Sequence, residues 1–95
     1  MYIVGGNGRI VMMSPADFHP SELKIGLNST VKAVKKDSAA LVFIAYDADD
    51  AVKNKVSGCV GEKDIAVCFE YSMLQLGVLC NIEVPCAVCC ALKAQ

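Results

Sequence analysis

Six consecutive apolar residues, Ala40-Leu41-Val42-Phe43-Ile44-Ala45, constrain this chain more than any other feature. In a β-strand, successive side chains point to opposite faces. An uninterrupted apolar strand is therefore buried on both faces, which requires a covering layer above and below the sheet. With 95 residues, 55% of them hydrophobic, the chain is long enough for one such core and short for two. Only 20% is charged, so a disordered chain is excluded.

The remaining pattern supplies the layers. Leu23 to Gly26 reads as a short strand. Asn28 is a candidate cap for a helix running to about residue 36, with Leu27, Val31 and Val34 at i, i+4 and i+7. A second helix starts near Asp50 and carries Val52, Val56 and Val60 on one side. Residues 65–69 form the next strand, Ser72 caps a third helix through Leu76 and Leu79, and residues 86–92 form the last strand. Strand–helix alternation in so few residues predicts an α/β fold with a central sheet and helices on both faces.

Ahead of these elements, Tyr2-Ile3-Val4 and Arg9-Ile10-Val11-Met12-Met13 flank an Asn7-Gly8 pair, a hairpin signal. Residues 1–13 are read as an N-terminal leader or hairpin and 14–95 as a single domain. Ser14-Pro15-Ala16-Asp17 predicts one helical turn with Pro at its first position, cut short by Pro20.

The chemistry-bearing side chains point away from catalysis. His19 is the lone histidine and has no motif around it, so an exposed or capping role is expected. Asp47, Asp49 and Asp50 follow the buried strand and suit the N-cap and acidic first turn of the second helix better than a Mg²⁺ site. Cys86 and Cys89 have CxxC spacing. Placed on one strand they would face opposite sides of the sheet, so they are expected to be small buried hydrophobes, with no zinc on the purified protein. Cys59, Cys68, Cys80 and Cys90 are read in the same way. No enzyme activity, metal or cofactor is expected.

The charge pattern is more informative than the net charge of −1. Lys24, Lys32, Lys35 and Lys36 place four of the nine basic residues in one stretch with no acidic residue among them. A helix N-terminus at Gly26-Leu27-Asn28-Ser29 offers unpaired backbone N–H groups beside an amide side chain that both donates and accepts. Lys32 lies one turn along the same face. The stretch Ile82-Glu83-Val84-Pro85 forms a loop that is unusually apolar; its side chains either face solvent or turn inward to cap the core. No apolar run is long enough to span a bilayer and no secretory signal is visible, so the expected location is the cytoplasm, with reduced thiols.

Three blocks together resemble the kink-turn-binding ribosomal-protein superfamily, the L-seven-Ae and L-thirty-e group, and above all its small bacterial L-seven-Ae-like members. The first block is Gly26-Leu27-Asn28-Ser29-Thr30-Val31-Lys32-Ala33-Val34-Lys35. The second is Phe43-Ile44-Ala45-Tyr46-Asp47-Ala48-Asp49. The third is Ser72-Met73 through Leu76-Gly77, then Ile82-Glu83-Val84-Pro85-Cys86-Ala87. The resemblance covers about residues 22–95. It implies a three-layer α-β-α sandwich with a central mixed four-stranded sheet. It also implies a non-enzymatic protein that binds RNA internal loops kinked beside sheared G·A pairs.

Carried onto this chain, Asn28 and Lys32 would read guanine edges, Gly26 and Leu27 would admit the RNA backbone, and Ser29 would add a hydrogen bond. Lys35 and Lys36 would serve phosphates, and Ile82, Glu83, Val84 and Pro85 would wall the extruded nucleotide. Archaeal-type members have Glu where this chain has Ser29; Ser at this position is compatible with the L-thirty-e pattern. The implied partner is structured RNA, a kink-turn or ribosomal RNA, bound by a monomer that is ribosome-associated or regulatory. The alternative is a protein–protein adaptor on the same fold with weak RNA affinity.

Overall fold

The computed structural model describes residues 3, 4, 10, 11, 14–61, 63 and 65–93. Strands β1 (Ile3–Val4) and β2 (Ile10–Val11) pair antiparallel, Ile3 opposite Val11. The Asn7-Gly8 turn between them lies outside the described residues. Two short 3₁₀ turns follow, Pro15–Asp17 and Pro20–Glu22. The first is closed by the Asp17 carboxylate, which accepts from Ser14 N at 2.8 Å. His19 caps the second: its Nδ1 accepts from Ser21 N at 3.2 Å. Capping is one of the two roles its sequence context predicts.

The main body alternates as the pattern predicts: β3 (Leu23–Ile25), α1 (Leu27–Lys35), β4 (Ala39–Ile44), α2 (Asp50–Val60), β5 (Ala66–Cys68), α3 (Met73–Leu79) and β6 (Val88–Leu92). The sheet order is β3-β6-β4-β5. β4 and β5 are parallel, whereas β6 runs antiparallel to both of its neighbours, β3 and β4. The sheet is therefore mixed.

β4 fulfils its apolar pattern. Leu41, Val42, Phe43 and Ile44 are all buried. Leu41 and Phe43 join Leu76, Cys89 and Ala91 beneath α3. Val42 and Ile44 join Val34, Val56, Val88 and Cys90 beneath α1 and α2. One strand thus serves two cores, and the architecture is a three-layer α-β-α sandwich. Ala40 is the exception to the apolar run's burial: the register shifts between Ala39 and Leu41, and Ala40 is exposed there.

Both α1 and α3 end in Schellman motifs, each with a non-glycine residue in the left-handed region. After α1, Asp37 adopts φ 58° and Ser38 N donates to Ala33 O at 2.8 Å. After α3, Asn81 adopts φ 61° and Ile82 N donates to Gly77 O at 3.0 Å. Asn and Asp tolerate this conformation because their short polar side chains bond locally. Each motif stops its helix and returns the chain to the sheet.

Three local expectations need correction. The cap of α1 is Gly26, not Asn28, which is the second residue of the helix. Asp47 does not cap α2. Its carboxylate accepts from Met73 N at 2.8 Å, so it ties the exit of β4 to the start of α3. The last strand begins at Val88, two residues later than the apolar run suggests. Cys86 precedes it in a loop, where strand alternation does not apply. Cys86 and Cys89 consequently share the α3 face of the sheet, together with Cys80.

Candidate functional site

Topology gathers the informative segments at one edge. β3, β4 and β5 all point the same way, since β6 is antiparallel to β3 and β4, and β5 is parallel to β4. Each is followed by a helix, so the N-termini of α1, α2 and α3 all start near this edge. β6 also begins there. In open α/β sheets, the carboxyl ends of parallel strands are where ligands are usually held.

Gly26 forms the junction of β3 and α1. Its φ of 99° and ψ of 161° lie in a region that glycine tolerates and L side chains avoid. A Cβ there would meet nothing within 4 Å, so the constraint is conformational rather than steric. Gly26 N donates to Val88 O at 2.9 Å, and its own carbonyl accepts the first helical bond, from Thr30 N at 3.0 Å. The chain therefore leaves the sheet and enters the helix within one residue. Asn28 emerges exposed on the first turn, with its carboxamide free of any capping duty, and Ser29 beside it is half-buried. Leu27 packs partly against the α1–α2 core.

Lys32 and Lys36 follow Asn28 at successive steps of four residues, and both are exposed. With Lys24 of β3 they line a groove of about 390 Å³ along α1, with Ser29, Ala33, Ser38 and Leu92. No acidic side chain lines it. Lys35 is exposed but lies outside this groove. Three of the four clustered lysines thus converge. The contribution of Lys24 was not apparent from spacing, because β3 pairing brings it to the helix.

The loop from residue 80 to 87 connects α3 to β6 at the edge where α1 begins. Ile82 turns partly inward against the α3-side core, whereas Glu83, Val84 and Pro85 are exposed. The two alternatives for this loop are both realised, one at each end. Gly77 sets its position. A Cβ on Gly77 would lie 2.3 Å from Val84 O and 3.3 Å from Pro85 Cα. Cys86 N then donates to Met73 O at 2.9 Å, and Ala45 N to Ala87 O at 2.8 Å. These bonds pin the loop to α3 on one side and β4 on the other. Gly77 and Asp47 are the positioning residues that sequence reasoning missed. A Gly inside an otherwise helical apolar run was the available signal, since an interior Gly costs helix stability unless something approaches closely.

The fold has solved counterparts. A 15.5kD RNA binding protein of Giardia lamblia superposes with a TM-score of 0.72 at 30% identity, covering 85% of this chain and 67% of that one. A Bacillus halodurans protein of unknown function superposes at 0.73 with 25% identity, covering 84% and 78%. The model of the ribosomal protein L7Ae/L30e/S12e/Gadd45 family matches residues 15–95. The chain belongs to this family. Its relatives in the family include an RNA-binding protein of Bacillus pumilus, 41% identical over 63 residues, which are 66% of this chain and 77% of the relative. Another is RNA-binding protein YbxF of Geobacillus stearothermophilus, 33% identical over 72 residues, covering 76% and 88%. The family match encloses every residue of the edge described above, from Gly26 to Pro85, and starts after the β1–β2 hairpin.

Proposed function

We propose that this chain is a cytoplasmic, monomeric RNA-binding protein. It recognises internal loops kinked beside sheared G·A pairs, as a ribosome-associated or regulatory factor. The observation that carries this reading is the juxtaposition of an exposed Asn28 on the first turn of α1 with the exposed Val84-Pro85 end of the loop before β6. Gly26, which opens α1, is bonded to Val88 O at the start of β6, and the loop is pinned to Met73 of α3 and, through Ala87, to Ala45. A-form RNA hides its major-groove edges, so a protein that reads bases needs distorted RNA. Asn28 can donate and accept against an unpaired base edge, Lys32 can donate from the next turn, and the apolar loop end offers a surface for an extruded base. The lysine groove explains how a chain of net charge −1 attracts a polyanion: the field is local.

The test is a binding titration with a kink-turn duplex and with the same duplex lacking its G·A pairs. Asn28→Ala and Lys32→Ala are each expected to cost about 1–3 kcal/mol, lost mainly for the kinked RNA. Parent-like affinity of both variants for the kinked RNA would refute the reading.

The lysines separate by geometry. Lys36→Ala is expected to weaken both duplexes alike and to reduce the salt slope by about one, because phosphate contacts release counterions whatever the sequence. Lys35→Ala, outside the groove, is expected to change the slope less. Titrations at several salt concentrations check this, and equal slopes for the two variants would remove the groove from the interface.

One observation favours the adaptor alternative. Leu74 and Val78, one turn apart on α3, are 69% and 71% exposed. They form an apolar stripe that RNA binding through α1 does not use. A protein partner bound by a chain with no measurable preference for kinked RNA would support that reading.

A further inference from the structure

Cys80, Cys86 and Cys89 come from three different structural settings. Cys80 is the C-cap of α3, Cys86 lies in the loop, and Cys89 is the second residue of β6. All three are buried, at 7%, 3% and 0% exposure. Their sulfurs lie within 4.8 Å of one another, with Cys80 Sγ 3.6 Å from Cys89 Sγ. Around them are Leu41, Phe43, Leu76 and Ala91, and Ile82 packs against the same cluster. No histidine or carboxylate joins the three sulfurs among the described residues.

We infer that these three cysteines form a binding site for one soft monovalent metal ion, Cu(I). Metal–sulfur bonds of about 2.3 Å radiating in a plane put the sulfurs roughly 4 Å apart. The observed spacing therefore needs little rearrangement. Thiolate ligands select soft ions such as Cu(I). Structural zinc almost always takes four protein ligands, and a fourth is missing here.

Each thiol that ligates as thiolate releases its proton to solvent as the ion binds.

The experiment titrates the reduced full chain anaerobically with Cu(I) held by a competing chromophoric chelator. One Cu(I) per chain is expected, and X-ray absorption of the parent complex should report three sulfur neighbours. Cys80→Ser, Cys86→Ser and Cys89→Ser should each lower affinity by more than the roughly 10–100-fold typical of losing an outer-shell partner. Cys59→Ser, on half-buried α2 surface, should leave it unchanged. Zn(II) offered at the same ratio should not survive gel filtration. No Cu(I) retained, fewer than three sulfurs in the parent spectrum, an equal loss in Cys59→Ser, or retention of Zn(II) in place of Cu(I) would each overturn the assignment. The absorption result uses only the parent chain, so a variant that fails to fold does not blunt the test.

Discussion

Phe43→Ala is expected to destabilise the protein by about 3–5 kcal/mol, the range for deleting a buried aromatic side chain. Phe43 is fully buried in β4, the central strand that feeds both cores. Its ring meets Phe18 edge-on, with centroids 6.4 Å apart and planes at 69°. It also lies 6.4 Å from Tyr71 at a 48° tilt. Removing the ring leaves a cavity between α3 and the sheet and deprives Phe18 of its packing partner. Phe18 connects the segment before β3 to the core, so that segment should loosen as well. Domains of this size have total stabilities of about 5–15 kcal/mol, so the variant is expected to be near the limit of folding. Its melting temperature should fall by about 4–8 °C for each kcal/mol lost. Ala40→Ser, on the same strand but exposed, is the control and should stay within about 0.5 kcal/mol of the parent. Urea unfolding midpoints of the two variants measure the contrast, and near-equal midpoints would refute this account of the core.

Gly77→Ala is expected to cost about 1–3 kcal/mol of stability through overpacking, and to weaken RNA binding as well. The added methyl would occupy the space of Val84 O, a backbone atom that cannot rotate away. The loop must move outward or α3 must shift. Cys86 N is bonded to Met73 O at one end of this segment, and Ile82 N to Gly77 O at the other, so displacement strains both bonds. Alanine is otherwise a better helix former than glycine by roughly 1 kcal/mol. A net loss of stability therefore isolates the steric effect. Under the proposed function, Gly77→Ala should lower affinity for kinked RNA while leaving the salt slope intact, since the α1 groove is untouched. Unchanged stability together with unchanged affinity would mean that the loop yields freely and is not seated by Gly77.

The layers of the fold were legible because periodicity reports burial directly. The doubly buried β4 run, the Val52-Val56-Val60 stripe and the Ser72 cap each correspond to observed elements. Ser72 Oγ accepts from Gln75 N at 3.1 Å, and Gln75 Oε1 accepts in return from Ser72 N at 2.9 Å. Contacts distant in sequence were less legible. The Asp47 carboxylate reaches a helix that starts 26 residues later, while the adjacent helix made a sufficient local explanation. Gly26 takes the cap position from Asn28 because the turn out of β3 requires a positive φ, a demand that capping preference does not register. The thiol trio was missed because apolar continuity extended β6 two residues too far, which imposed strand alternation on Cys86 although it lies in the preceding loop. At the site, the Asn28 and Ile82–Pro85 segments were legible as sequence blocks. The groove needed β3 pairing to bring Lys24 beside α1.

The strand order has a consequence for how the molecule is made. Among the described residues β6 comes last in the chain, yet it lies between β3 and β4 and hydrogen-bonds to both. Until Val88–Leu92 has been synthesised, β3 has no neighbour in the main sheet, and one side of β4 is open. Helices and the parallel β4–β5 pair can form on a growing chain, but closure must wait for its final strand. Nascent protein is thus exposed along a sticky β4 flank throughout elongation. Unpaired strand flanks of this kind make incomplete chains aggregation-prone. Stalled translation a few codons short of β6 should therefore yield insoluble fragments rather than a slightly weakened domain.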